Sequence, residues 1–249
     1  MAGVKVVWLS AGVSSFIAGY LAKDVDEWIY IDVEDQHSDS MRFVHDCERV
    51  IGKPVTILKS PYRNVENAIK AAQVIKLQGG FAPCTAWLKK RVRKEWEAQH
   101  ADIHLTYVWG MDRTEVKRAE RLQEGMPQFS HEFPLIDQNI SKEVAHYILS
   151  ELGIKRPVMY DLGYNNNNCV GCVKGGMGYW NKIRKDFPEV FRSRAMLERE
   201  IGHSILKECY LDELEEDRGK QNDGVVPECD IFCMLWEMDR KERRADTTP

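Results

Sequence analysis

The sequence predicts an α/β fold: a parallel twisted sheet with helices on both faces, plus a cysteine-bearing C-terminal region. Three observations predict it. Short apolar runs alternate with helical patterns through the first half, which is the order of a parallel sheet covered by its own crossovers. The first run, Val4-Lys5-Val6-Val7-Trp8-Leu9, is nearly continuous in apolar residues, as a strand buried on both faces must be. Five of the seven cysteines, Cys169, Cys172, Cys209, Cys229 and Cys233, fall in the irregular second half, with Cys47 and Cys84 before them.

Taken in order, Val4–Leu9 is the first strand and the small residues Ser10–Ser15 are a turn. A helix follows through Phe16, Ile17, Tyr20 and Leu21. Glu27–Ile31 is a second strand, and Asp39–Ile51 an amphipathic helix with Met41, Val44 and Cys47 at helical spacing. Pro54–Leu58 is a third strand, Cys84–Gln99 a long basic helix, Ile103–Trp109 a fourth strand and Glu115–Leu122 a helix. Ser141 is the N-cap of a helix reaching Leu152 and ended by Gly153. Pro157–Asn168 reads as loop, and Gly175, Gly176 and Gly178 as a turn. Phe187–Cys209 reads as helical apart from its proline, Asp212–Asp223 as a mobile polar link, and Arg240–Pro249 as a frayed tail. The expected division is an α/β domain over 1–155, a cysteine-bearing region over 156–239 and a tail over 240–249.

The composition excludes some classes of function. Of 249 residues 43% are hydrophobic, and the formal charge is −4. A chain so apolar and so weakly charged folds rather than staying disordered. No apolar run approaches the ~20 residues of a membrane span, and no signal peptide is expected at the start. The near-neutral charge gives no global case for nucleic acid. An odd number of cysteines without a leader points to a reducing, cytoplasmic setting, where close cysteines mean metal or redox chemistry.

Ligands of parallel sheets bind at the carboxyl ends of strands, so the turn Ser10-Ala11-Gly12-Val13-Ser14-Ser15 is a candidate phosphate loop. Its other reading is a tight turn with a serine N-cap. It has neither the lysine nor the glycine spacing of the common phosphate and dinucleotide loops. Cys169-Val-Gly-Cys172 can grip one metal or one cluster edge, and its alternative is a redox dithiol. Cys84 and one C-terminal cysteine would complete a four-thiolate set. Cys47 reads as core filler. The cluster Lys89, Lys90, Arg91, Arg93 and Lys94 reads as a solvated helix face. Arg113, Arg118 and Arg121 follow the fourth strand and are placed to hold an anion. The pair Glu34-Asp35 is too common a pattern to mean anything alone.

Several stretches together resemble the phosphoadenylyl-sulfate reductase family of the PP-loop adenine-nucleotide hydrolase superfamily, over roughly residues 4–190 and in the family's order. Ser10-Ala-Gly-Val-Ser-Ser15 resembles the PP-loop S-G-G-x-D-S. Ile31-Asp32-Val33 with His37, Cys84-Thr-Ala-Trp-Leu-Lys89, and Gly110 through Arg121 are similar to its later segments. The most specific likeness is Phe133-Pro-Leu-Ile, then Tyr160-Asp-Leu-Gly-Tyr164, then Cys169-x-x-Cys172. Glu228-Cys229 faintly resembles the family's catalytic Glu-Cys tail.

The resemblance implies an adenine nucleotide (an adenylyl sulfate, its 3′-phosphorylated form, or ATP) bound by Ser10, Ala11, Gly12, Val13, Ser14, Ser15, Asp32 and Gly110. It implies Cys229 as the nucleophile and Lys89, Arg113 and Arg118 as neutralising charges. Cys84, Cys169, Cys172 and Cys233 would hold a [4Fe-4S] cluster or zinc. A thiol electron donor such as thioredoxin and a homo-oligomer are the implied partners. Ala11 stands where the family has glycine and Ser14 where it has aspartate, so adenylate binding is implied more firmly than α–β hydrolysis. Cys84 stands alone where cluster-bearing members carry adjacent cysteines. Two other readings stay open: an ATP-dependent sulfurtransferase acting on nucleic acid, and a non-catalytic nucleotide-binding protein with a structural zinc knuckle.

Overall fold

The computed structural model describes residues 3–76, 82–220 and 225. Its chain runs β1 (Val4–Leu9), α1 (Val13–Ala22), β2 (Glu27–Asp32), α2 (Asp39–Ile51), β3 (Val55–Lys59) and α3 (Val65–Ala72). It continues through α4 (Pro83–Thr85), a π turn at Ala86–Lys90, α5 (Arg91–Gln99), β4 (Leu105–Val108), α6 (Val116–Gly125) and β5 (Ser130–Glu132). Then come α7 (Pro134–Asp137), α8 (Lys142–Glu151), α9 (Val158–Asp161), α10 (Met177–Asp186) and α11 (Pro188–Ile201). Among the described residues no helix is long and apolar enough to cross a membrane.

The five strands form one parallel sheet in the order β3-β2-β1-β4-β5, flanked by helices as in a Rossmann-like fold. Val7 at its centre pairs with Trp28 on β2 and Val108 on β4. The chain leaves β1 toward β2 and β3, then returns to the other side of β1 for β4. That reversal between β1 and β4 is the switch point at whose carboxyl edge doubly wound sheets take their ligands.

Two compact units share the chain in alternating pieces rather than in consecutive ranges. One takes the chain through Asp32, Ser38–Leu58 and Arg93–Gly163; the other takes Val33–His37, Lys59–Val92 and the chain from Tyr164. In the first, Val7, Leu9, Phe16, Ile17, Trp28, Tyr30, Phe43 and Val108 belong to one buried cluster. Cys47 is fully buried in the same cluster, and burial pushes its thiol far above the usual range. It fills the core, as its spacing on α2 indicates.

Several elements differ from the sequence reading. β5 has no apolar residue at its three positions (Ser130, His131, Glu132) and so leaves no strand signal. α3 is started by Asn64, whose side chain accepts from the Asn67 amide at 2.8 Å. The expected loop 157–168 contains α9. Phe187–Cys209 is helical only to Ile201, because Gly202 takes a left-handed φ of 73° and its N–H returns to Glu198 O. The acidic stretch after Asp212 begins in a 3-10 turn, Leu211–Glu213, and Arg199 holds both Asp212 (2.8 Å) and Glu213 (2.7 Å). The long basic helix changes its bonding in the π turn, a form that recurs at functional positions.

Candidate functional site

Parallel strands put the ends of β1, β2 and β4 on one edge of the sheet. The loop 10–15 follows β1, Asp32 closes β2, and Trp109-Gly110 follows β4. The loop is tied across itself. Ser10 N donates to Ser15 Oγ at 3.1 Å, and Ser15 Oγ donates to Gly12 O at 2.9 Å. Ser10 Oγ lies 3.0 Å from Ser15 Oγ. Ala11 is fully buried at a φ of 54°, a left-handed conformation that costs a side-chain-bearing residue about 1–2 kcal/mol.

Gly110 explains how the β4 loop meets α1. A Cβ there would lie 2.5 Å from Ser15 N and 2.6 Å from Ser15 Cα. The two backbones are therefore in direct contact, and no side chain fits between them. Gly12 precedes α1 with extended dihedrals and no side-chain cap. Val13 N donates instead to Tyr160 Oη at 3.4 Å, from 147 residues away. The candidates Ser10, Ala11, Gly12, Val13, Ser14, Ser15 and Gly110 are thus brought together. The first-turn amides and the dipole of a ten-residue helix suit an anion there.

The two arginines sit differently. Arg113 is exposed, and its backbone N–H donates to Ile140 O at 3.1 Å. Arg118 forms a close ion pair with Glu115. Sequence reasoning passed over Lys142 and His146 on α8. Both pack on the Tyr160 ring: Lys142 Nζ is 5.7 Å from its centroid, and the His146 ring meets it edge-on at 4.7 Å. Burial lowers the pKa of each. Tyr160 had a signal, as part of the Tyr-Asp-x-Gly-Tyr stretch; Lys142 and His146 had none.

The thiols belong to the second unit. Tyr179 clamps the Cys169–Cys172 turn. Its Oη accepts from Cys172 N at 2.9 Å and donates to Cys169 O at 3.3 Å. Gly175 makes room for that ring, since a Cβ there would lie 2.0 Å from it. Burial raises the Tyr179 pKa, with Cys172 adding to it, so the hydroxyl keeps its proton. The turn is also tied at Val170 N, which donates to Asp35 O at 2.7 Å. The Asp35 carboxylate in turn accepts from Val65 N at 2.6 Å and pairs closely with the buried Arg194. Asp35, set aside as half of a common acidic pair, is the node of this unit.

Cys84 lies buried in α4, and Lys89 is half-buried in the π turn. Lys76 Nζ donates to Ile205 O at 2.9 Å. Burial lowers the Lys76 pKa, while Cys172 and Cys84 act to raise it. Glu198 is fully buried and accepts from Leu211 N at 2.6 Å and from Ile205 N; burial raises its pKa. Cys229 and Cys233 lie outside the described residues.

The donor chemistry of Cys84, Cys169 and Cys172 suits a soft metal or an iron–sulfur cluster. Among the described residues, no three His, Cys, Asp or Glu side chains are grouped to hold a metal ion. Comparison with protein-family models, curated proteins and solved structures finds no match to this chain.

Proposed function

We propose that the protein is a sulfonucleotide reductase-like enzyme with a PP-loop. It would bind an adenylyl sulfate, with or without a 3′-phosphate, and pass its sulfur to a cysteine thiolate. One observation carries the reading: the small-residue loop 10–15 lies at the β1/β4 reversal of a parallel sheet, packed backbone to backbone against Gly110. The resemblance supplies the chemistry. The Cys229 thiolate attacks sulfur, the sulfur–oxygen bond to the phosphate breaks, and its electron pair leaves with the adenosine phosphate. A thiol donor of the thioredoxin kind then attacks the resulting S-sulfonate, releasing sulfite and leaving a mixed disulfide. Lys89, Arg113 and Arg118 are the cations assigned to the leaving phosphate. Cys84, Cys169, Cys172 and Cys233 would hold a [4Fe-4S] cluster or zinc, which when bound supplies an electropositive centre for nearby thiolates.

The test is anaerobic turnover with adenylyl sulfate and its 3′-phosphorylated form, in the presence of a dithiol. Sulfite and adenosine phosphate should appear in equal amounts. Cys229→Ser should abolish both and keep the bound metal. No sulfite from either nucleotide overturns the reductase reading. Release of AMP from Mg-ATP in its place points to the sulfurtransferase.

A further inference from the structure

The middle residue of β5, His131, is bonded through both ring nitrogens. Its Nε2 lies 2.9 Å from Met126 O, just past α6, and its Nδ1 accepts from Trp109 Nε1 at 3.0 Å. An indole nitrogen can only donate and a carbonyl oxygen can only accept. The two partners therefore fix the ring as the neutral tautomer with its proton on Nε2. A second proton has one place to go, Nδ1, where it would face the indole N–H, donor against donor. The imidazolium and the Trp109 bond exclude each other.

The acids around the ring are engaged elsewhere. β4 presents the rings of Tyr107 and Trp109 to His131, with centroids at 6.5 Å and 6.2 Å, and Phe133 lies at 6.4 Å. The Tyr107 hydroxyl donates to Glu97 at 2.7 Å, and Glu97 pairs with Arg93 at 3.1 Å. Beside His131 on β5, Glu132 pairs with Lys5 at 2.9 Å, and Ser130 Oγ lies 2.9 Å from His104 Nε2. On α6, Glu120, Arg121 and Glu124 are exposed. Burial lowers the His131 pKa, opposed by the bond to Met126 O, so the ring takes its second proton below the ordinary imidazole value of ~6.5.

Trp109 directly precedes Gly110. Its backbone N–H donates to Glu132 O at 3.0 Å, and its buried indole is bonded to His131. Gly110 then meets the Ser15 backbone with no room for a Cβ. We propose that His131 is a proton-operated latch on the segment that carries Gly110 to the loop 10–15. The neutral ring holds the Trp109 indole and keeps Gly110 seated against α1. The imidazolium releases the indole and loosens that seat. The consequence for ligand binding rests on the nucleotide reading above; the latch itself does not.

NMR of the full chain, titrated from about pH 8 to about pH 5, tests it. The Trp109 indole signal is assigned through its contacts with the His131 ring. That signal and the Gly110 amide should shift with one midpoint, shared with the His131 ring and lying below ~6.5. His131→Asn has a side-chain oxygen that can accept from the indole and does not titrate, so both signals should stay in place. A His131 midpoint that Trp109 and Gly110 do not share overturns the latch, as does a His131 that stays neutral until the chain unfolds. Where His131→Asn does not fold, the wild-type titration alone decides.

Calorimetric titration with AMP over the same range reads the consequence. The affinity should fall by up to about tenfold at about one pH unit below the midpoint, the limit in which only the latched form binds. Comparison with His131→Asn removes the titration of the AMP phosphate itself. An equal fall in the two proteins overturns the coupling of latch to site. A wild type that binds no AMP overturns the nucleotide reading and not the latch.

Discussion

The two candidate sites are built by different means. In the first unit the loop 10–15 is placed by strand order and by backbone packing at Gly110, so its position is set by where β1 and β4 end. In the second, the thiol-bearing turn is a short irregular segment. Tyr179 holds it across both cysteines, and the Asp35 carbonyl holds it at Val170, with the Asp35 carboxylate anchored in turn by Arg194. A site built from topology tolerates changes in most side chains but not an added atom at a backbone contact. A site that depends on particular side chains, as the turn depends on Tyr179 and on the Asp35–Arg194 pair, has the opposite sensitivity.

Substitutions on each side sharpen the contrast. The largest loss is expected from Asp35→Ala. It leaves Arg194 buried without its anion, and breaking a buried pair costs about 3–5 kcal/mol. Urea unfolding should show that loss, with a smaller one when Arg194→Leu is added, because the stranded charge is then gone. Equal losses in the single and double variants would mean that the pair does not act as a unit.

Gly110→Ala comes next. Its methyl would meet Ser15 N at 2.5 Å, and overpacking of this kind costs about 1–3 kcal/mol. Thermal unfolding should register the drop, and an unchanged midpoint would argue against the backbone contact. Tyr179→Phe should cost least, about 1 kcal/mol for the hydroxyl's bonds, since the ring stays seated. Its more telling readout is chemical: the reaction of the protein's thiols with a disulfide reagent should speed up as the turn loosens. Unaltered thiol kinetics would leave Tyr179 a packing residue only.

The legible parts of the sequence are those where local pattern and tertiary role agree. β1 is a continuous apolar run because it is the central strand. α2 is amphipathic from Asp39 to Ile51, with Gly52 left-handed at its end. Ser141 caps α8 by accepting from Val144 N at 3.3 Å. β5 was not legible, because its three residues are all polar and half-buried. α10 was hidden by the glycines around it, which read as a turn although Gly176 is its N-cap and Gly178 lies inside it.

The same rule holds for the sites. The loop after β1 could be found from its small residues and its place after a strand. Ala11 shows what the sequence alone does not: it takes the left-handed conformation that glycine favours. The interleaving of the two units left no signal, because contacts between distant segments have no period. For that reason Asp35 read as an ordinary acid and Tyr179 as one aromatic among many.

The central claim is that the loop 10–15, at the β1/β4 reversal, binds an adenine nucleotide. Gly12→Val probes it most directly. Gly12 has an extended φ of −107° that valine adopts without strain, and its Cβ would stand 3.1 Å from Ser10 Oγ and 3.4 Å from Tyr160 Oη. The branched side chain should fill the approach to the α1 amides while the protein stays folded. Calorimetric titration with an adenine nucleotide should show binding to the wild type and a loss of at least tenfold in the variant, with its circular dichroism unchanged. Wild-type affinity in the folded variant would contradict the assignment of the loop.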